Sequence, residues 1–135
     1  FSMGLGFLKA PQVGVQITSK AILASRILRF EKQFLQSANQ QYKNGLFTEA
    51  GRALTKHPNI VGAVSDKGLY NLFGNQSGIN QAANNAVKNF IRNGIRSVKD
   101  TKSYGKVVDF KLPNGHGVRF NAQTNEFITF LGRGL

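Results

Sequence analysis

The chain has 135 residues, room for one domain and an appended arm but not for two full cores. Eighteen Lys and Arg against six Asp and Glu leave a net charge of +12, a field that draws polyanions: nucleic acid first, acidic proteins second, anionic membranes third. The absence of cysteine excludes disulfides, thiolate zinc and thiol catalysis, and six scattered acids with two His offer no metal-ligand spacing. Half of the excess charge, +6, lies in residues 86–135. No apolar stretch approaches the length of a membrane span. The chain begins with Phe1 rather than Met, which predicts a piece of a longer protein.

Residues 1–17 are apolar and broken by Gly4, Gly6, Pro11 and Gly14, and read as a connector or an arm. From Ala21 to Lys43 the apolar residues Leu23, Ile27, Phe30, Phe34, Ala38 and Tyr42 recur at steps of three and four, the period of a helix. Thr18 or Ser19 suits its start and Asn44-Gly45 its stop. A short helix follows Thr48 and runs from Glu49 to Lys56; Pro58 ends it and turns His57 out of helical geometry. Residues 58–76, punctuated by Gly62, Gly68 and Gly74, read as irregular. A third helix starts near Ser77 or Asn80, carries Ala83, Val87, Phe90 and Ile91 on one stripe, and ends at Asn93-Gly94.

Beyond Gly94 the period changes from 3.6 to 2. Ile95–Lys99, Lys106–Leu112, Gly117–Asn121 and Phe127–Leu131 read as strands, joined by a Pro113-Asn114-Gly115 hairpin turn and a second turn at Gln123–Glu126. Helices first and a four-stranded antiparallel meander afterwards make an α+β fold, with N-terminal helices packed on one sheet face and the other face free for a ligand.

No glycine run has the context of a phosphate-binding loop. What remains is acid–base chemistry by few groups. Lys56-His57 sits where a helix ends, so the imidazole is either a solvated or core residue or one aimed at a cleft; the neighbouring cation lowers its pKa and offers a phosphate a partner. On the third strand Arg119 and Asn121 alternate with Val118 and Phe120, which puts them on the open face. Asp109 and Lys111 on one neighbouring strand and Thr129 on the other can share that face. His116 reads as a turn residue, and Phe127 as the one aromatic placed for base stacking. Lys88, Arg92, Arg96, Lys99, Lys102 and Lys106, opposed by Asp100 alone, form a basic flank able to track phosphates.

The order of motifs carries a resemblance. Gly51-Arg52-Ala53-Leu54-Thr55-Lys56-His57, then Gly74-Asn75 and Ile79-Asn80, then Pro113-Asn114-Gly115-His116-Gly117-Val118-Arg119-Phe120 and Phe127-Ile128-Thr129-Phe130-Leu131, resemble the C-terminal toxin domains of bacterial contact-dependent inhibition and polymorphic toxin systems. The match runs from Leu46 to Leu131, so the division it implies is a connector and helix over 1–45 and a ribonuclease toxin domain over 46–135. Such domains are similar in turn to the colicin D tRNase of the barnase–EndoU–colicin–RelE superfamily. His116 stands where many relatives carry Arg.

The resemblance implies an antibacterial endoribonuclease that cuts tRNA without metal or other cofactor, through attack of a ribose 2′-OH on the adjacent phosphorus. On that reading His57 is the acid/base, Lys56 and Arg119 steady the phosphate, and Thr129 donates a hydrogen bond to it. Lys88, Arg92, Arg96, Lys99, Lys111 and Asn121 would hold the RNA. It also implies delivery as the C-terminus of a larger surface protein, action in the target-cell cytoplasm and an acidic cognate immunity protein, and it leaves room for a host factor that activates the domain. The competing readings are a basic nucleic-acid-binding module without catalysis and an enzyme acting on DNA.

Overall fold

The computed structural model describes residues 31–132. Contacts divide the chain after Lys32, and the architecture below belongs to the unit that starts at Gln33. Residues 31–38 are helical (α1). They are followed by α2 (Glu49–Lys56), a 3-10 turn (Pro58–Val61), α3 (Asp66–Phe73) and α4 (Gln76–Asn93). Four strands complete the chain: β1 (Ile95–Thr101), β2 (Gly105–Lys111), β3 (Gly117–Asn121) and β4 (Phe127–Leu131). They pair antiparallel in chain order, the expected meander of an α+β fold.

Helix α4 packs across β2 and β3, α2 lies along β4, and α3 rests on α4. Between them the buried side chains of Leu54, Leu69, Ile79, Val87, Val118, Phe120 and Phe130 make one apolar core. Phe34 of α1 meets Phe120 with ring centroids 4.3 Å apart and Phe110 at 5.6 Å. The register places Phe110 opposite Val118 and Val118 opposite Phe130, all on the helix side. The pairing of β3 with β4 shifts between Arg119 and Phe120, so Phe120 faces Phe127 while Arg119 faces Thr129. This bulge at Ile128 lets Phe127 and Phe130, three apart, both point inward. Phe127 therefore packs edge-on against Phe120 and Phe130, with centroids 6.0 and 5.5 Å away, and does not offer its ring to a base.

Several elements depart from expectation. The first helix was expected to run from Ala21 to Lys43; its part before residue 31, with the Thr18 or Ser19 cap and the segment 1–17, lies outside the described residues. It ends at residue 38, where the Asn39 amide turns back onto the Leu35 carbonyl at 2.8 Å. Tyr42 leaves the helix and instead donates its N–H to Phe47 O at 2.8 Å, beside a bridge between Gln41 and Thr48. Residues 58–76 are largely helical rather than irregular. Gly62 (φ 83°) ends the 3-10 turn and Gly74 (φ 88°) ends α3, so those two glycines are terminators. Ser65 caps α3 by accepting Gly68 N–H at 3.1 Å, with Asp66 in the first turn. Asn75 caps α4 in the same way, 2.9 Å from Gly78 N, which starts that helix at Gln76 rather than at Ser77 or Asn80. The first hairpin is longer than expected because Thr101 Oγ1 accepts Tyr104 N–H at 3.0 Å and donates to Gly105 O at 2.9 Å, extending both strands to the turn.

Candidate active site

The bulge and the register set one row of side chains across the sheet, on the face away from the core. Ser97 pairs with Asp109, Asp109 with Arg119, and Arg119 with Thr129. Paired residues on one face stand about 5 Å apart at Cβ, so the row is continuous. Asp109 has no exposed surface. It accepts from Arg119 Nε at 2.8 Å and from a terminal guanidinium nitrogen at 3.0 Å, and Lys99 Nζ lies 3.4 Å away. Burial pushes the Asp109 carboxyl up, but the hydrogen bonds and charge of Arg119, with Lys99 behind them, hold it below its ordinary value. The Arg119 hydrogen bonds to Asp109 raise the guanidinium further against the pull of burial, with smaller help from the Asp109 charge and from Tyr104. Two of the guanidinium nitrogens are thereby spent on Asp109, which fixes the plane of the group and leaves the third for an anion.

His57 closes the row at the edge strand. Thr48 starts α2 by accepting Gly51 N–H at 2.9 Å, and His57 ends it with φ −132° and ψ 56°, forced out of the helix by Pro58. Because α2 lies along β4, the helix end brings His57 Nε2 to 3.2 Å from Thr129 Oγ1. The Thr129 hydroxyl also donates to Phe130 O at 3.1 Å, so it receives its hydrogen bond from Nε2–H. Nδ1 is buried without a hydrogen-bond partner among the described residues. Burial first, and the charge of Lys56 second, lower the His57 pKa below its ordinary 6.5, which keeps the imidazole neutral at pH 7.

The structure thus brings His57, Thr129, Arg119 and Asp109 together, with Lys56 beside them at the end of α2. Lys99 shares the face but is engaged by Asp109, and Lys111, half-buried, shares it by register. Asn121 points its oxygen into its own turn, accepting Gln123 N–H at 2.8 Å and Thr124 N–H at 3.0 Å. Lys88 and Arg92 form one stripe of α4, and Arg96 pairs with Phe110, so these three lie on the helix side and do not join the row. Among the described residues no three His, Asp or Glu side chains gather as metal ligands.

The sequence reading gave no site role to Tyr42, nor to the motif residues Arg52 and Asn80. Arg52, one helical turn before Lys56, sits 5.7 Å from the Tyr42 ring centroid, with Lys43 at 5.4 Å on the same ring. The Lys43 charge is the largest influence on the Tyr42 hydroxyl and lowers its pKa. The Arg52–Lys56 spacing of four was the available signal; Tyr42 had none, because it was placed on a helix. The motif residue Asn80 proves architectural, accepting Thr48 N–H at 3.0 Å and donating to Leu46 O at 2.9 Å, which latches the entry of α2 to α4.

Residues 35–132 match the family described as the CdiA C-terminal tRNase toxin domain, most of the chain. The chain belongs to this family. It is accordingly a toxin domain of contact-dependent inhibition with tRNase activity, an endoribonuclease. It is also similar to the crystal structure of the toxic C-terminal tip of CdiA from Pseudomonas aeruginosa in complex with immune protein. That likeness has 30% identity and a TM-score of 0.53, and covers 70% of this chain and 97% of the other. No curated protein matches the chain.

Proposed function

We propose that this toxin domain cleaves tRNA without metal, by transesterification at the row that His57 closes, in the manner of a colicin D-like tRNase of the barnase–EndoU–colicin–RelE superfamily. The observation that carries the proposal is the approach of His57 Nε2 to Thr129 Oγ1, 3.2 Å, on the strand pair that also holds Arg119. A neutral imidazole at pH 7 is a base. On leaving Thr129 the neutral imidazole carries its single proton on Nδ1, and the Nε2 lone pair so freed meets the ribose 2′-OH and takes that proton. O2′ then bonds to phosphorus as the P–O5′ bond breaks, leaving a 2′,3′-cyclic phosphate, and the departing O5′ takes its proton from solvent. The remaining guanidinium nitrogen of Arg119, held in plane by Asp109, and the Lys56 ammonium meet the charge that grows on the phosphoryl oxygens. Thr129, released from His57, donates to one of them. No step asks for a metal.

Lys88, Arg92 and Arg96 lie outside the reacting row and serve to hold RNA from the helix side. The relative from Pseudomonas aeruginosa is bound to an immune protein; we assign this chain a cognate immune protein of its own, acidic because a net +12 must be met by opposite charge. Delivery from the producer's surface and action in the target cytoplasm complete the reading.

The test is incubation of the purified chain with total bacterial tRNA and a chelator, followed by a denaturing gel. Discrete fragments ending in cyclic phosphate are expected, and His57→Ala should slow their formation about 10²–10⁴-fold. Cleavage within a few-fold of wild type in that variant removes His57 from the mechanism. Intact tRNA bound tightly and salt-sensitively, and still intact after cell extract is added, favours a non-catalytic binding module.

A further inference from the structure

A second concavity lies at the end of the sheet, between the 3-10 turn, α3, α4 and the β2–β3 hairpin. It is an open groove of about 480 Å³, within the range of small-ligand sites. Its walls are apolar and include the Phe73 and Phe90 rings, and its polar groups are Asn85, Asn89, Asn114 and His116. No Lys, Arg, Asp or Glu lines it. In a chain of net charge +12 that is informative: a pocket for phosphate would recruit one of the many cations, and this one has none.

Each of the three asparagine oxygens already accepts one hydrogen bond. Asn85 Oδ1 accepts from Gln81 at 3.2 Å, Asn89 Oδ1 from Asn93 at 2.7 Å, and Asn114 Oδ1 from His116 N–H at 2.9 Å. Beside an oxygen already engaged once, each offers an amide NH₂, a donor with two hydrogens. Donors over an apolar, aromatic wall suit a flat heterocycle whose edge carries carbonyl oxygens. The pocket also adjoins the reacting row by two routes. Ile60 and Val61, on its wall, follow His57 by three and four residues through a 3-10 turn, about 6–8 Å at 2 Å per residue. His116, on its wall, precedes β3, and Arg119 stands three residues further along that strand, about 10 Å.

We propose that this pocket binds one carbonyl-bearing nucleobase of the RNA substrate, guanine or uracil, unstacked from its neighbours, while the adjoining phosphate lies on the His57–Arg119 row. The assignment rests on the ribonuclease reading and adds to it a base subsite. Phe73 or Phe90 supplies the apolar face, and the Asn85, Asn89 and Asn114 amides donate to the base carbonyls.

The experiment uses the full 135-residue chain, ¹⁵N-labelled and titrated with 5′-GMP, 5′-UMP and 5′-AMP, beside steady-state cleavage of tRNA. GMP and UMP should shift the resonances of Asn85, Asn89, Asn114 and His116, and AMP, which has no carbonyl, several-fold less. Ala86→Phe, which fills the pocket, and Asn89→Asp, which replaces a donor with a charged acceptor at an exposed position, should abolish those shifts. Both should raise KM for tRNA about 10–100-fold, the worth of one stacked base, with the loss in KM rather than kcat. If Ala86→Phe does not fold, Asn89→Asp decides. No pocket shifts with any nucleotide, an equal response to AMP, or an unmoved KM in either folded variant overturns the base subsite. Cleavage by the wild type without pocket shifts sinks the subsite alone, and pocket shifts without cleavage sink the ribonuclease reading alone. Loss of immune-protein binding in Ala86→Phe with KM unchanged assigns the cavity to that partner instead and overturns the proposal.

Discussion

Asp109→Ala probes the brace under the reacting row. The carboxylate has no exposed surface and is bonded by Arg119 at 2.8 and 3.0 Å, with Lys99 at 3.4 Å. Removing it strands the Arg119 guanidinium, whose side chain keeps only 17% exposure, over the sheet. Breaking a buried pair from one side costs about 3–5 kcal/mol, and the residual exposure of Arg119 places this case at the lower end, about 3 kcal/mol. For a domain of roughly 100 residues that corresponds to a fall in Tm of about 12–24 °C. Urea unfolding followed by circular dichroism at pH 7 measures the loss, and Arg119→Ala with the double variant completes a cycle. The double variant should be more stable than the sum of the single losses by about 0.5–3 kcal/mol. The pH dependence supplies an independent sign. The Asp109 pKa is below its ordinary 3.8 in the fold, so its stabilisation is whole above that value and disappears as pH falls through the folded one. Asp109→Ala should lack that acid loss. A cost under about 1 kcal/mol with an additive cycle would refute the argument, because the pair would then be behaving as a surface ion pair.

Three further outcomes follow from the same geometry. Burial and then Lys56 depress the His57 pKa, so the acid limb of kcat/KM should lie below pH 6.5; Lys56→Ala removes the second cause and should move the limb upward, and a limb that stays or falls contradicts the base assignment. A Cβ at Gly117 would stand 2.2 Å from Phe110 O and 3.0 Å from Lys111 Cα, so Gly117→Ala should cost about 1–3 kcal/mol by forcing β3 from β2, and an unchanged midpoint in urea contradicts that packing. Lys88→Ala with Arg96→Ala should flatten the salt dependence of tRNA binding, each lost phosphate contact lowering the slope by about 0.7–0.9, while a parallel slope removes both from the RNA path.

Much of the architecture is legible in the sequence because it rests on local rules. Period-2 alternation from Ile95 onward, the Pro113-Asn114-Gly115 turn and the Thr48 cap are short-range signals, and the meander and α2 follow from them. Gly115 adopts φ 90° in that turn, as Asn-Gly chemistry demands. The misreadings came from the same locality. Glycines at 62, 68 and 74 obscured α3, although Ser65-Asp66 and buried Leu69 carried its signature. The Tyr42 spacing continued a helical stripe beyond the residue where Asn39 folds back on Leu35.

What alternation by itself determined was that Arg119, Asp109 and Thr129 could share a face, and what the composition determined was a basic chain without thiols and with too few carboxylates for a metal cage. Tertiary structure alone decided that His57 joins them, since residues 57 and 129 meet only because α2 lies along the edge strand. It also decided that Phe127 serves the core: the bulge at Ile128 is a property of strand pairing, invisible to a period counted along one strand. The basic flank was divided for the same reason, because a sheet has two sides and charge counted along the chain does not record which one a side chain occupies.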